Sequence, residues 1–240
     1  MTGRRIFESV LALVSALMFK EFLSFLYLSQ NIIIYLAALL SVIIFLAGSI
    51  NIYIKDELFD EEYIKPIVVK VDNTLIYQTI RFQARRLCSI LVNLAGAVLP
   101  MAVSAIALII IAMVQFDLLL QVVLNTFLLT FLYHKLSILI KDKGVGVPIA
   151  VSIAVTVILS VSTALCLNLS TLMTFALTFT SSAIALLIGV DLMNLSRVIF
   201  FNVRRIIIGG MGPADALLLI PATSALVTVN VIKTLFGFIA

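Results

Sequence analysis

The chain has 240 residues, of which 63% are hydrophobic and only 12% are charged, and its mean hydropathy is +1.25. A soluble domain is about half apolar and about a quarter charged, so this composition excludes a water-soluble globular fold and predicts a polytopic membrane protein. The net charge of +4 is small, and the basic residues form no platform with aromatic residues, so nothing indicates binding to nucleic acid.

Seven apolar runs are long enough to cross a bilayer, which takes about 20 residues in a helix. They lie at 6–28, 32–54, 87–113, 118–136, 147–169, 171–195 and 214–238. We therefore expect an all-α polytopic membrane protein with about seven transmembrane helices. The first run lacks a small-x-small cleavage site, so it is expected to be retained rather than removed as a signal peptide.

The basic residues are spread unevenly over the predicted connections. All Lys and Arg except Lys20 and Lys233 fall in the N-terminal segment or in the second, fourth and sixth connections. Because cytoplasmic loops carry an excess of Lys and Arg, this alternation predicts a multi-pass protein of the cell (plasma) membrane, with the N-terminus in the cytoplasm and the C-terminus outside. The lipid bilayer is the predicted partner, and the sequence gives no oligomeric state.

One sizeable segment lies outside the predicted spans, between the second and the third. It begins with the acidic stretch KDELFDEE and continues with two β-rich arms, IKPIVVKV and TLIYQTI, around a turn at Asp72 and Asn73. This pattern predicts a small cytoplasmic β-hairpin at 64–80, which either covers the cytoplasmic face or docks a substrate or partner as an added strand. The predicted domains are an N-terminal transmembrane hairpin at 1–54, the cytoplasmic segment at 55–86 and a five-helix transmembrane core at 87–240.

Two aspartates stand out in the last two spans. Asp191 lies six residues before Arg197, which places it about 9 Å inside the inner membrane boundary at a rise of about 1.5 Å per residue. Asp215 opens the seventh span. Because the two spans run antiparallel, both acids are expected at a similar depth near the cytoplasmic side. Ionisable residues inside a membrane are costly and mark candidate functional sites.

The residues around these acids are predicted to support them. Asn194 lies three residues after Asp191, on the same helix face, where its amide is expected to bond Asp191 or a partner. Glycines before Asp215 permit backbone conformations that a β-carbon forbids, and a proline favours a helix start, so Asp215 would face the free N–H groups of a helix N-terminus. The supporting residues of this break are Gly209, Gly210, Gly212 and Pro213.

The chemistry of such a pair follows from its charge. Two carboxylates a few ångströms apart titrate together and hold one proton between them. An aspartyl hydrolase needs this arrangement, with one acid, one base and a water between them. No Cys or His pattern has metal-ligand spacing, so we predict neither a metal nor another cofactor.

Four stretches resemble a known family. They are VNLAGAVLP at 92–100, GVGVP at 144–148, GVDLMNL at 189–195 and IGGMGPADALLL at 208–219. In this order they are similar to the signature segments of an uncharacterised prokaryotic membrane family, domain of unknown function 1614, over about 85–230. This resemblance implies a membrane protein and no established activity.

A weaker resemblance concerns the two acids alone. Asp191 late in one helix and Asp215 at the start of the next are placed as in intramembrane aspartyl proteases of the presenilin, signal-peptide-peptidase and prepilin-peptidase type. The resemblance implies that Asp191 and Asp215 are catalytic, in an order that the sequence does not assign, and that the substrate is a transmembrane peptide.

Three alternatives stay open beside this interpretation. Asp191 and Asp215 can be structural groups that fix the corner between the last two helices. The break before the seventh span can form the site of a small-solute or ion transporter. The chain can also be a non-catalytic subunit of a larger membrane complex.

Overall fold

The computed structural model describes residues 2–23, 29–71, 74–140, 144–199 and 205–239. Its helices are α1 (Thr2–Leu23), α2 (Gln30–Ala47), α3 (Leu99–Val114), α4 (Leu118–Leu136), α5 (Ile149–Cys166), α6 (Thr171–Leu186), α7 (Leu195–Ile199) and α8 (Ala216–Ile239). Its strands are β1 (Asn51–Val71), β2 (Thr74–Asn93), β3 (Ile138–Ile140), β4 (Gly144–Gly146) and β5 (Arg205–Ile208).

Six helical segments of the described chain are long and apolar enough to cross a membrane, namely Gln30–Ala47, Leu94–Val114, Leu118–Leu136, Ile149–Cys166, Thr171–Val198 and Ala216–Leu235. The protein is therefore a multi-pass helical membrane protein, as its composition predicts. The 22 residues of α1 are also helical and pack against α2 and α8. Because α1 contains several charged residues, it is not among the six segments that qualify as spans by composition.

The helices surround α6, which is the most buried of the spans. Of its apolar stretch 83% is buried, against 22% in α2, and α3, α4, α5 and α8 all pack against it. The outer faces of α2 and α4 expose large apolar side chains such as Tyr35, Leu46 and Phe127. In a bilayer these faces contact lipid, and the buried faces form the protein core.

The hairpin is longer than its predicted bounds of 64–80. β1 and β2 pair antiparallel from Asn51 opposite Asn93 to Val71 opposite Thr74. The predicted turn residues, Asp72 and Asn73, lie outside the described residues. The strands also take up 51–54 and 87–93, which the hydropathy of the predicted spans 32–54 and 87–113 assigns to helices. Those bounds were wrong because short apolar runs such as Ile52–Ile54 fit a helix or a strand equally well by composition.

A third strand joins this hairpin. β5 pairs in parallel with the end of β2, from Ser89 opposite Arg205 to Val92 opposite Ile208. The pairing connects the segment just before α8 with the segment just before α3. It therefore fixes the start of α8 against the rest of the bundle, at the same end as Asp215.

Candidate functional site

Asp215 lies at the N-terminus of α8 in an extended conformation, with φ −70° and ψ 146°. Its Oδ1 accepts a hydrogen bond from the Leu217 backbone N–H at 3.0 Å, and its Oδ2 accepts one from the Met211 N–H at 3.2 Å. The first bond satisfies a donor that the start of a helix leaves free, which is the role of an N-cap residue. Asp215 thus closes the loop before α8 and caps the helix with the same carboxylate.

The electrostatics of Asp215 combine two opposing influences. Burial of the carboxyl raises its pKa, because a charged group loses solvation. The N–H groups of Leu217 and Met211 lower the pKa, because they bond the charged form, and the rise from burial is the larger effect. The carboxyl lies directly before the membrane-spanning part of α8, which begins at Ala216.

The loop before Asp215 depends on glycine at two positions. Gly209 has φ +70° and Gly212 has φ +60°, both in the left-handed region that side chains with a β-carbon rarely adopt. Pro213 follows in a short 3₁₀ turn, Gly212–Ala214. Gly210 lies in the turn just before this 3₁₀ turn, where a β-carbon would come within 2.9 Å of the Ile207 carbonyl oxygen. These four residues, predicted from the sequence, form the turn that presents Asp215.

The turn is seated against two other parts of the chain. A side chain at Gly96 would collide with the backbone oxygens of Gly209 and Gly212, and one at Gly48 would overlap the Pro213 ring at 2.6 Å. Backbone therefore packs directly on backbone where α2 ends and where α3 begins.

Asn93 holds this junction together. Its Nδ2 donates to the Gly48 carbonyl at 2.8 Å and to Asn51 Oδ1 at 3.0 Å, and its Oδ1 accepts from the Gly96 N–H at 2.8 Å. The Gly96 bond caps a π-helical turn, Leu94–Val98, that leads into α3. Asn93 and Gly96 were not among the predicted site residues, and their three-residue spacing was the signal of a cap.

Asp191 lies in a second π-helical segment, Leu187–Leu192, which continues α6. Its neighbours Leu187 and Val190 share one buried apolar cluster with Ala216 and Leu217, the residues that follow Asp215, and the Asp215 charge is near enough to influence the Asp191 carboxyl. The two predicted acids therefore lie at the same end of the bundle, within range of each other's charge. π-helical turns occur often at functional sites, and in the described residues both lie beside this corner.

Asn194 is fully buried and has partners other than the predicted Asp191. Its Nδ2 donates to the Val190 carbonyl at 2.9 Å, to the Gly189 carbonyl at 3.3 Å and to Ser137 Oγ at 3.1 Å. It therefore binds the backbone that carries Asp191 and connects that backbone to the end of α4.

The described residues contain no group of three His, Cys, Asp or Glu side chains arranged to hold a metal ion. The structure offers two carboxyl groups at one end of the bundle, Asp215 at the start of α8 and Asp191 in the π-helical segment that continues α6. Such a pair can hold and transfer a proton.

Comparison with known proteins identifies a family. No curated protein and no solved structure matches the chain, and the comparisons give the resemblance to presenilin-like proteases no support. Residues 45–227 match the family described as a protein of unknown function, DUF1614. This region runs from the end of α2 into α8 and includes α3 to α7, the three-stranded sheet, Asp191 and Asp215, and so the chain belongs to the DUF1614 family.

Proposed function

We propose that this protein is a hydrolase of the aspartyl type that cleaves a peptide segment at the cytoplasmic edge of the membrane. The observation that carries the proposal is the placement of Asp191 and Asp215 at one end of the bundle, where their neighbours Val190 and Leu217 lie in one buried cluster. Asp215, bonded by two backbone N–H groups, is the base, and Asp191 is the acid. A negative charge on Asp215 disfavours a second one nearby, so the pair retains one proton.

The proposed reaction uses that proton and one water. Asp215 takes a proton from the water as the water oxygen attacks the peptide carbonyl carbon, and Asp191 gives its proton to the carbonyl oxygen, so a tetrahedral diol forms. Asp215 then protonates the amide nitrogen and Asp191 takes a proton back from the diol. The carbon–nitrogen bond breaks, and both carboxyl groups return to their starting states.

The test is cleavage of a single-span reporter peptide by the purified protein in liposomes. Asp191→Asn and Asp215→Asn should each lower the rate by about 100-fold or more, because either change removes an acid–base group. Glu21→Gln is the matched control, since Glu21 pairs with Lys233 near the other end of the bundle. Cleavage at the wild-type rate in both asparagine variants would overturn the proposal.

A second candidate, a small-solute or ion transporter, is favoured by buried polar contacts along the bundle. Asn125 donates to Thr163 Oγ1 at 3.2 Å near one end, and Tyr133 bonds Ser182 at 2.9 Å further along α4. Seven further buried hydroxyl groups have no hydrogen-bond partner in the described part of the chain: Ser104, Thr126, Ser152, Ser160, Thr180, Ser224 and Thr228.

The transport candidate is tested in the same liposomes. A transporter that uses these groups would move protons or small cations at a rate that falls in Asn125→Leu, whereas a hydrolase would cleave the reporter with this variant as it does with the wild type. If Asp191 and Asp215 only fix the corner between the last two helices, the protein would show neither activity. Substitutions of Asp215 would then change only the stability of the protein.

A further inference from the structure

The π-helical segment that carries Asp191 leaves backbone carbonyl groups out of line with the regular α-helical ladder. Its last bond runs from the Met193 N–H to the Ile188 carbonyl at 2.9 Å, five residues back. Such a segment contains one residue more than an α-helical turn and persists only where other groups satisfy its displaced backbone. Two side chains from outside the segment, His134 and Asn194, provide that satisfaction here.

His134 bonds the segment from α4. Its Nδ1 lies 3.1 Å from the Gly189 carbonyl oxygen, and because a carbonyl only accepts, Nδ1 carries the hydrogen. The close approach requires glycine, since a β-carbon at Gly189 would lie 2.5 Å from the Thr130 carbonyl oxygen. α4 and the π-helical segment are therefore in backbone contact one helical turn before His134.

Asn194, which follows the segment in the chain, also donates hydrogen bonds to it. Besides the carbonyls of Gly189 and Val190, it donates to Ser137 Oγ, and Ser137 in turn donates to the His134 carbonyl at 2.7 Å. His134, Ser137 and Asn194 thus form a closed set of bonds around Gly189, two residues before Asp191. We call these three residues the α4–α6 clamp.

We propose that His134 and Asn194 are positioning residues that keep Asp191 turned toward Asp215 by holding the extra residue of the π-helical segment in place. Each α-helical residue turns the chain by about 100°, so relaxation of the segment to a regular α-helix would swing Asp191 about the helix axis by a similar angle. The proposal rests on the proposed function for its kinetic consequence, but its geometric consequence is independent of any activity.

The kinetic test replaces the two clamp donors. His134→Phe and Asn194→Leu keep the size of the side chains and remove the bonds, so kcat for the reporter peptide should fall about 10- to 100-fold with KM unchanged, because the reacting groups are displaced. His134→Asn places an amide N–H where Nδ1 stood and should restore most of the lost kcat. A rise in KM with kcat unchanged would contradict a positioning role. An equal loss of kcat in His134→Phe and His134→Asn would contradict it as well.

The geometric test needs no activity. In a chain with Cys88→Ala and Cys166→Ala, cysteines replace Asp191 and Asp215, and a short bifunctional thiol reagent measures how readily the two positions are joined. The control pair is Glu21→Cys with Lys233→Cys, whose native side chains lie 3.4 Å apart.

Adding His134→Phe or Asn194→Leu should lower cross-linking between 191 and 215 severalfold and leave the control pair unchanged. Unchanged cross-linking between 191 and 215, or an equal fall in both pairs, overturns the clamp. Absence of cleavage by the wild type would remove the proposed function without affecting this measurement.

Discussion

Two helices of the described residues follow directly on an aspartate, and one of these two aspartates caps its helix. Asp117 precedes α4 with φ −61° and ψ −24°, and its side chain makes no capping bond. Asp215 precedes α8 in the extended conformation that capping requires, and it bonds Leu217. The difference lies in the backbone, because the turn of Gly212 and Pro213 sets the conformation of Asp215.

Removal of the Asp215 side chain should therefore destabilise the protein apart from any chemistry. We expect Asp215→Ala to lower the free energy of unfolding by about 1 kcal/mol, the usual contribution of an N-cap. Asp117→Ala should change it by less than about 0.5 kcal/mol, as for an exposed residue without such a bond. Denaturant unfolding in mixed micelles gives both values.

Asp215→Ser separates the two roles of the residue. Serine is a good N-cap but has no carboxyl group, so this variant should unfold like the wild type and still fail to cleave the reporter. If Asp215→Ala were as stable as the wild type, the capping bond would contribute nothing to the start of α8.

The sequence predicts the backbone structure around Asp215 better than the structure around Asp191. Gly209, Gly212 and Pro213 are a local signal, because left-handed φ and a helix start are properties of the nearby chain. The π-helical segment around Asp191 is bonded by His134, which lies 57 residues earlier in the sequence. No sequence pattern marks His134 as a partner of this segment. The predicted site residues therefore did not include His134.

The junction of β2, α3 and the loop before α8 brings elements into direct main-chain contact near the site. It consists of backbone against backbone at Gly96, Gly209 and Gly212. A clash between main chains cannot be relieved by a change of rotamer, so one of the elements has to move. The hydropathy of the third predicted span does not indicate this contact, because Gly96 is one of many small residues in it.

Gly96→Ala should consequently be far more harmful than a methyl group usually is. We expect it to lower the free energy of unfolding by about 3 kcal/mol, at the upper end of overpacking effects, and to weaken the parallel pairing of β2 with β5. Gly146→Ala is the control, because its β-carbon would meet only the flexible end of Ile140 at 3.3 Å. Equal stability of the two variants would show that the junction can adjust.

Longer-range pairing explains what hydropathy missed among the strands. β5 is a run of Arg205 and three isoleucines, too short to predict alone, and it exists through its parallel pairing with β2, more than a hundred residues earlier by number. The spans, by contrast, follow from length and composition, and α4 begins and ends at the residues predicted for it. Local signals therefore predicted the helices and the hairpin, whereas a contact between distant segments decided the third strand of the sheet.

The ion pair of Glu21 with Lys233, at 3.4 Å, fixes the relative direction of the first and last helices. Glu21 lies near the end of α1 and Lys233 in the last third of α8, so the two helices run in the same direction. At about 1.5 Å per residue α1 is about 33 Å long, which matches the thickness of a hydrocarbon core of about 30 Å. A parallel arrangement of the first and last helices is what the predicted topology of seven spans expects.

Thiol labelling in intact cells tests the proposed orientation, and the chain provides a natural probe. Cys166 is exposed at the end of α5, whereas Cys88 is buried. If the connections rich in Lys and Arg are cytoplasmic, a membrane-impermeant maleimide added outside should label Cys166. In a Cys166→Ala chain, Met211→Cys, at a residue with 71% exposure in the loop before Asp215, should react only after the membrane is permeabilised. The opposite pattern would place Asp191 and Asp215 at the outer face, and a substrate would then have to reach them from outside the cell.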